Sequence, residues 1–486
     1  MKINIKKIEK FLKKEYGNSS DLVFRKIKIK GKNVMYVYLD SLSSDDKISD
    51  FLMKDLSDYF KNKKLNLFDN ILNNLENSIY NSHLIVETDF NNIFDKLSNG
   101  FTIIFVEGSK EFILVETKKT LDRGITDSTS EIIIRGPKDS FNENHSTNLG
   151  LIRKRIKTTK LWFKDISVGR KTKTKVTISF IEDIADPKKI EIIEKTIKKI
   201  DIDGILDSGY IREFLVQDNK TSFPKLKSTE RPDVACAALL EGKIVILVEN
   251  SPFVLITPTV LSDYLHVPED YYQKTNNINF TRLLRLLAFF LTIITPAFYI
   301  AVTTFNQEMI PNELLISLAV QQDGVPFPTA FEVIMMMITF EILRESDLRI
   351  PSPMGAAISI VGALVLGDAA VSAGIVSPIV IIVVAITSIC GLLFTDIDFV
   401  NAIRIWRLIY ILFATVAGLI GIFIASVIFI TKLASIETNG VPYLAPFSPL
   451  FPKAIKDSII RFPITNLKTR PSYLTKNTTK LGDQNE

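Results

Sequence analysis

The sequence contains few of the residues from which catalytic and metal centres are usually built. Its 486 residues include only 2 cysteines, 3 histidines and 2 tryptophans. Cys236 and Cys390 lie far apart in sequence and neither has a CxxC neighbour, so neither a disulfide framework nor a zinc site is indicated. Neither common type of glycine-rich phosphate loop is present. We therefore expect no cofactor, no resident metal and no enzymatic activity.

The sequence also shows neither a basic stripe nor, at its start, the apolar core that is typical of a signal peptide. The formal net charge is only +5, and no stripe of Lys and Arg interleaved with aromatic residues stands out, so nucleic acid is not an expected partner. The first residues, MKINIKKIEKFLKKEYGN, have no continuous apolar stretch of the signal-peptide kind. They predict an amphipathic helix within residues 1–17, and a cytoplasmic location for the region that follows.

Long apolar runs are absent from the first part of the chain and dominate a later part. Up to Asn279 the sequence is rich in Lys, Asp and Asn, whereas Leu283 to Ile430 is dominated by aliphatic residues, Phe, Ala and Gly. This asymmetry predicts an α/β cytoplasmic N-terminal region followed by an all-α polytopic membrane domain over residues 282–431. A basic tail, residues 432–486, completes the chain.

The soluble part contains an internal repeat. An alternating strand followed by an acidic turn begins at Val34 and again at Val176, and a hairpin preceded by glycine follows Gly100 and again Gly242; both offsets are 142 residues. Repeated offsets of this kind indicate duplication. We predict two similar α/β subdomains, 18–135 and 171–281, joined by a basic connector, 136–170. A cleft between them can hold a ligand, and a rigid scaffold is the alternative.

The apolar part predicts about five membrane spans, since about 20 apolar residues cross a bilayer. The predicted spans are Leu283–Phe305, about Phe327–Leu343, about Gly355–Val376, Pro378–Phe394 and Leu408–Ile430. An odd number places the tail opposite the soluble region, whereas its excess of Lys and Arg favours the same side. The sequence leaves this conflict open.

Two acids and a stripe of small residues stand out within the predicted spans. Glu332 and Asp368 lie at depth, where a carboxylate is expected to face protein or water. Each can line the axis of an oligomeric pore, or can be a buried acid that accepts hydrogen bonds from a neighbouring helix. Small residues recur every four positions and predict close helix packing, within one chain or between copies. This stripe consists of Gly355, Ser359, Ala363 and Gly367.

The chain resembles the GerA family of spore germination proteins, specifically the A subunits of nutrient germinant receptors. The similarity extends over nearly the whole chain through the stretches GNSSDLVFR, RGPKDSFNENHSTNLGLIRKRIKT, RPDVACAALLEGKIVILVENSPFVLITPT, DYY, PFPTAFEVIMMMITFEILRE and RIPSPMGAAISIVGALVLGDAAVSAGIVSP. A connector motif typical of the family comprises Arg135, Gly136, Pro137, Asn148, Arg153 and Arg155.

This resemblance implies a location in the spore inner membrane and two partner subunits. One is a multi-pass, transporter-like B subunit and the other is a lipoprotein C subunit. It also implies that the chain forms homo-oligomers in contact with membrane lipid and conducts ions when nutrient is sensed. No catalytic residue is implied.

Three other functions are compatible with parts of the sequence. A secondary transporter is expected to show matching halves in its membrane part, and none are seen. A non-conducting scaffold subunit of the germination complex fits the buried-acid interpretation of Glu332 and Asp368. A membrane-bound enzyme would have Asp396 and Asp398 as its best candidate residues.

Overall fold

The structure is a computed structural model that describes residues 2–29, 32–49, 84–119, 130–216, 221–347 and 365–480. It consists of two five-stranded antiparallel sheets with flanking helices, followed by a bundle of apolar helices and an irregular tail. The strands of the first sheet are β1 Leu22–Ile29, β2 Lys32–Leu39, β3 Leu84–Glu87, β4 Phe101–Val106 and β5 Phe112–Glu116. Those of the second are β6 Leu161–Val168, β7 Thr174–Ile181, β8 Lys227–Thr229, β9 Ile244–Val248 and β10 Val254–Thr257.

The two sheets have the same topology and the same register. Their strand orders are β1-β2-β4-β5-β3 and β6-β7-β9-β10-β8. Val34 is paired with Val106 in the first sheet, and Val176 with Val248 in the second, so both partners shift by 142 residues. The prediction of two similar α/β subdomains is therefore confirmed, because the repeat extends from the sequence to individual strand pairs.

The helices of the α/β region pack on these sheets and help to form one large core. They are α1 Ile5–Glu15, α2 Ile93–Ser98, α3 His145–Arg155, α4 Pro187–Lys198, α5 Ser208–Val216, α6 Pro232–Leu240 and α7 Leu261–Leu265, with 3₁₀ turns at Phe90–Asn92 and Pro268–Tyr271. Buried residues of both sheets, such as Phe105 and Leu247, share this core with Leu151 of α3. The two subdomains are consequently packed together through α3.

The C-terminal part is helical and apolar, as the composition predicts. Its elements are α8 Thr275–Thr304, α9 Asn312–Asp323, α10 Thr329–Asp347, a helical segment at 365–372, α11 Pro378–Gly391 and α12 Ile397–Ser435, with a 3₁₀ turn at Gln307–Met309. Among the described residues, α8 and α12 are long and apolar enough to cross a membrane, and α11 is a shorter apolar helix. In the core of the bundle, Phe289 of α8 stacks on Phe399 of α12.

Helix α12 folds back on itself, so the prediction of a single final span over Leu408–Ile430 is wrong. Gly418 has φ 58° and ψ −134°, a conformation essentially restricted to glycine. The Tyr410 hydroxyl donates to Ser426 Oγ at 3.1 Å, although 16 residues of straight helix would separate them by about 24 Å. The stretch is therefore an antiparallel hairpin with arms 397–417 and 419–435, roughly 30 and 25 Å long.

Close contacts at its tip fix this hairpin. A Cβ on Gly421 would lie 2.0 Å from the carbonyl oxygen of Phe413 on the other arm, so only glycine allows this approach. The side-chain oxygen of Asn306, just beyond α8, accepts a hydrogen bond from the Leu419 amide at 3.4 Å. The hairpin therefore begins and ends at the same end of the bundle.

The tail returns to the α/β region, on which it packs. It contains the short strands β11 Glu437–Thr438 and β12 Val441–Pro442 and 3₁₀ turns at Ile455–Asp457 and Ile464–Asn466. Lys189 Nζ donates to the carbonyl of Leu474 at 3.0 Å, and Arg470 Nε donates to the carbonyl of Leu240 at 2.7 Å. Because the tail contacts the soluble region, both lie on the same side of the bundle, as the positive charge of the tail favours.

Candidate ligand cavity and membrane junction

A polar cavity of about 330 Å³ lies between the two sheets at the start of α3. Among the described residues that line it, five are acidic and Lys175 is the one lysine. Lys175 Nζ is 3.5 Å from Asp165 Oδ2. The acidic residues are Asp21, Asp40, Glu143, Asp165 and Glu249. This inter-sheet cavity therefore has an excess of negative charge.

His145 contributes an unpartnered nitrogen to the wall of the inter-sheet cavity. Its Nε2 lies 2.7 Å from Thr177 Oγ1, and that hydroxyl donates to Asp165 Oδ1 at 2.6 Å. Because the threonine hydrogen is directed to the carboxylate, Nε2 carries the histidine proton and Nδ1 is left as an acceptor. Nδ1 is buried without a partner among the described residues, and burial lowers the pKa of His145. The cavity thus offers acceptors to a ligand that brings donors.

The connector holds the two subdomains together through a buried ion pair. Arg153 is fully buried, and its Nε and Nη2 donate to Asp21 Oδ2 and Oδ1 at 3.1 and 2.9 Å. Its Nη1 also donates to the carbonyl of Leu161 at 3.0 Å, and its guanidinium lies 4.7 Å from the Phe163 ring centre. A buried charge pair requires this many hydrogen bonds, because each ion has lost its hydration.

The other connector residues that the family resemblance singled out also have structural contacts. Asn148 Oδ1 accepts from the Asn142 amide at 2.9 Å, and Arg155 Nη2 donates to Asp139 Oδ1 at 2.6 Å. The first three residues of the motif lie against residues outside the connector. The Arg135 amide donates to Glu269, and the Pro137 carbonyl accepts from Arg231. A Cβ on Gly136 would meet the Tyr272 ring. The connector therefore positions both sheets and the segment that leads into α8.

Glu332 is buried between two helices of the bundle. It is 1% exposed, and its Oε2 accepts a hydrogen bond from the backbone amide of Ser377 at 2.8 Å. Ser377 is the N-cap of α11, so the carboxylate satisfies a free amide at the positive end of a helix. This contact within one chain matches the buried-acid interpretation of Glu332.

Asp368 has a different environment from Glu332. It is exposed on the helical segment 365–372, whereas the adjacent Gly367 is buried and a Cβ there would lie 3.6 Å from Ile381 of α11. The one described member of the small-residue stripe thus contacts a helix of the same chain. Gly355, Ser359 and Ala363 lie outside the described residues. The structure shows no hydrogen bond between Asp368 and Glu332.

The residues proposed for a membrane enzyme have structural partners. Asp396 Oδ1 accepts from the Phe399 amide at 2.9 Å and caps α12, and Asp398 forms an ion pair with Arg212 of α5. No group of three or more potential ligands for a metal ion occurs in the part of the chain that the structure describes. Asp396 therefore caps a bundle helix, and Asp398 links that helix to the α/β region.

A cluster of charged residues joins the α/β region, the first bundle helix and the tail. Asp270 is 1% exposed and accepts from Arg282 Nε and Arg285 Nη1 of α8, each at 3.0 Å. Arg282 Nη1 also donates to Asp457 Oδ1 of the tail at 3.0 Å, and Arg461 Nη1 donates to the Asp270 carbonyl. We call these five residues the junction cluster. The junction cluster therefore ties the start of α8 to the segment before it and to the tail.

Comparison with known proteins places the chain in a family. The family described as Bacillus/Clostridium GerA spore germination protein matches residues 10–473. The chain belongs to the GerA family. Spore germination protein KA of Bacillus subtilis (strain 168) is 36% identical over 467 residues, which cover 96% of this chain and 85% of that protein. The uncharacterized membrane protein YfkQ of the same organism is 34% identical over 96% of this chain and 90% of its own length.

A solved structure also matches this GerA family protein. It is the crystal structure of the N-terminal domain of the A subunit of the Bacillus megaterium spore germinant receptor GerK3. The match has 32% sequence identity and a TM-score of 0.42, and covers 54% of this chain and 97% of that one.

Several important residues of this GerA family protein were missed by sequence reasoning. Asp270 stands in the stretch DYY, which was noted only for its resemblance to the family, and nothing local distinguishes it from a surface acid. Gly418 and Gly421 interrupt the apolar stretch Leu408–Ile430, whose length by itself fits a single span. The two glycines near its middle are the available signal for a break in the helix.

Acidification is expected to lower the stability of the folded chain through His266, which lies near the junction cluster. Burial, and to a lesser extent the nearby Arg282, lowers the pKa of His266 from 6.5 to about 4, and its Nε2 lies 2.5 Å from the Ser458 carbonyl. Between those two pKa values the unfolded chain binds the proton and the folded chain does not, so stability falls as the pH is lowered from about 6.5 towards 4. At pH 5 the loss amounts to about 2 kcal/mol.

Thermal unfolding of the full chain at pH 7.5 and pH 5 measures this effect. The variant His266→Gln retains a donor for Ser458 but cannot titrate, so its loss of stability between the two pH values should be smaller than that of the native chain. Equal losses in both proteins would rule out His266 as the source.

Proposed function

We propose that this chain is the A subunit of a spore germinant receptor in the spore inner membrane. The match to the GerA family over residues 10–473 supports this assignment. The partners would be a multi-pass B subunit and a lipoprotein C subunit, with the α/β region and the tail both in the cytoplasm. The basic tail and its contacts with the α/β region favour that orientation.

The proposal extends to ion conduction by an oligomer of this chain. The observation that carries it is the exposure of Asp368 on a helical segment of an apolar bundle. A carboxylate facing lipid is costly, so an exposed acid at this position favours contact with water or with another copy. Several copies around one axis would bring their Asp368 side chains together as an acidic ring that attracts cations.

Thiol labelling in the assembled receptor tests whether Asp368 faces water. The receptor carrying Asp368→Cys is treated in the membrane with a charged reagent that does not cross lipid. We expect rapid modification at Asp368→Cys and a block of ion flux. Leu366→Cys is the matched control, because residues two apart on a helix point roughly 200° apart. Equal labelling at both positions, or none at position 368, contradicts the proposal that Asp368 lines a water-filled path for ions.

A pair of substitutions at Glu332 separates its charge from its hydrogen bond. Glu332→Gln keeps an acceptor for the Ser377 amide but removes the charge, whereas Glu332→Leu removes both. We expect Glu332→Gln to assemble normally with altered ion flux or selectivity. Glu332→Leu leaves a buried amide unsatisfied and should destabilise the chain by about 1–3 kcal/mol.

Thermal unfolding and ion flux of the two Glu332 variants are measured side by side. If Glu332→Gln changes neither flux nor selectivity while Glu332→Leu loses assembly, Glu332 is only a helix cap. That result would favour the non-conducting scaffold for this part of the bundle.

A further inference from the structure

A second cavity lies where the α/β region, the segment leading into α8 and the tail meet. Its volume is about 340 Å³, and it is separate from the inter-sheet cavity because the two have no lining residue in common. Helix α6 forms one wall, Tyr271 and Tyr272 form another, and Lys480 of the tail contributes to a third. We call it the junction cavity. Its volume is within the range of small-molecule sites.

The junction cavity has an apolar body between two fixed aromatic rings. Ala237 and Ala238 of α6 present small side chains to it, which leaves space beside the helix. The Tyr271 hydroxyl donates to Asp457 Oδ2 at 2.9 Å, and the Tyr272 hydroxyl donates to Asp233 Oδ2 at 2.7 Å. Both residues are more than a third exposed although their hydroxyl groups are tethered. A flat apolar group would cover surface that is otherwise in contact with water.

One oxygen of Asp233 supplies an unused acceptor at this site. Asp233 lines the cavity, and its side chain is 7% exposed. Its Oδ2 accepts from Tyr272 and from Arg231 Nη2 at 2.8 Å, whereas its Oδ1 is buried without a hydrogen-bond partner among the described residues. A buried acceptor of this kind gains from a ligand that brings an O–H or N–H group.

The charges around the junction cavity favour an uncharged ligand. Each lining acid faces a cation: Asp233 is bound by Arg231, Asp263 Oδ2 lies 2.6 Å from Lys243 Nζ, and Glu241 Oε1 lies 3.9 Å from Lys480 Nζ. An added charge would disturb this balance in a partly buried site. This separates the junction cavity from the inter-sheet cavity, in which the acids are in excess.

We propose that the junction cavity binds an uncharged small molecule with a flat apolar body and one hydroxyl or amide donor, which is held by Asp233 Oδ1. This proposal does not rest on ion conduction, because every residue that forms the cavity lies in the α/β region, the segment before α8 or the tail. A bound molecule would contact Tyr271 beside the junction cluster, and so act on the same link to α8.

Fluorine-detected NMR on the full chain in detergent tests this proposal with three matched probes. The probes are 4-fluorobenzyl alcohol, 4-fluorobenzyl methyl ether, which lacks the donor, and 4-fluorobenzylamine, which is a cation at pH 7. We expect the alcohol to bind about tenfold more tightly than the ether, since a hydrogen bond to a carboxylate is lost. Equal affinity for alcohol and ether would overturn the role of Asp233, and tighter binding of the amine would overturn the choice of an uncharged ligand.

Filling the cavity shows whether the probe binds there. Ala237 is exposed on α6 and lines the cavity, so Ala237→Phe occupies the space without entering the core. Ala237→Leu is a second variant in case the first fails to fold. The control is Ile192→Phe on α4, which is 51% exposed and does not line this cavity. We expect binding of the alcohol to fall at least tenfold in the filled variants alone; an equal fall in the control, or none, overturns the site.

Discussion

Replacing Asp270 with alanine should destabilise the protein by about 3–5 kcal/mol, because the arginines that converge on this buried carboxylate would lose the counter-ion that they share. Asp270 is 1% exposed, and it binds Arg282 and Arg285 of the first bundle helix at the same time. Thermal unfolding of the full chain in detergent measures the loss. Limited proteolysis should also show the α/β region and the bundle separating at lower temperature.

Asp457→Ala is the matched control for Asp270→Ala. Asp457 pairs with the same Arg282, yet its side chain is 20% exposed, so water can replace it. We expect a loss of about 1 kcal/mol or less. Equal effects of the two variants would mean that the cluster does not depend on burial, and that Asp270 is not its centre.

Gly418→Ala should open the α12 hairpin. A Cβ at this position would lie 2.8 Å from Phe305 Cβ and 3.0 Å from Asn306 Oδ1, and the backbone conformation is itself unfavourable for alanine. Together these effects should cost roughly 2–4 kcal/mol. The neighbouring Val416 is 79% exposed, so Val416→Ala serves as a control with little effect on folding.

Cross-linking reports on the hairpin directly. Tyr410→Cys and Ser426→Cys place two thiols on opposite arms, at positions where the native side chains are within hydrogen-bonding distance. Because a cysteine lacks the length of the tyrosine ring, a bifunctional thiol reagent should join them in the otherwise native chain, with a much lower yield when Gly418→Ala is added, as read by mass spectrometry of the digested protein. A similar yield in both backgrounds would contradict the role of Gly418.

The fold class could be predicted because it depends on patterns that recur along the sequence. Strand alternation at Val34 and at Val176 specifies two equivalent strands, and the equal offset of 142 residues carries over to their partners Val106 and Val248. The apolar composition after Leu283 likewise indicates helices, because long stretches with few charged residues are typical of helices that cross a membrane. These features are local or periodic, which is why a single sequence displays them.

The candidate sites were less predictable because they depend on contacts between distant segments. Asp270 meets Arg461, and Arg282 meets Asp457, only after the chain has crossed the bundle and returned. That return itself depends on Gly418. A count of apolar residues gives one span in this part of the chain, whereas the folded backbone forms two arms. Glu332 was recognised as unusual from its surroundings, yet its partner, the amide of Ser377, carries no side-chain signal.

The most direct test of the central claim is ion flux across liposomes that contain the complete receptor. This chain is reconstituted with its two partner subunits, and flux is followed on addition of the nutrient that triggers germination of the parent spores. The account predicts nutrient-dependent flux that disappears when this chain is omitted and is altered by Asp368→Asn. Flux that persists without this chain, or its absence from the fully assembled receptor, would contradict the account.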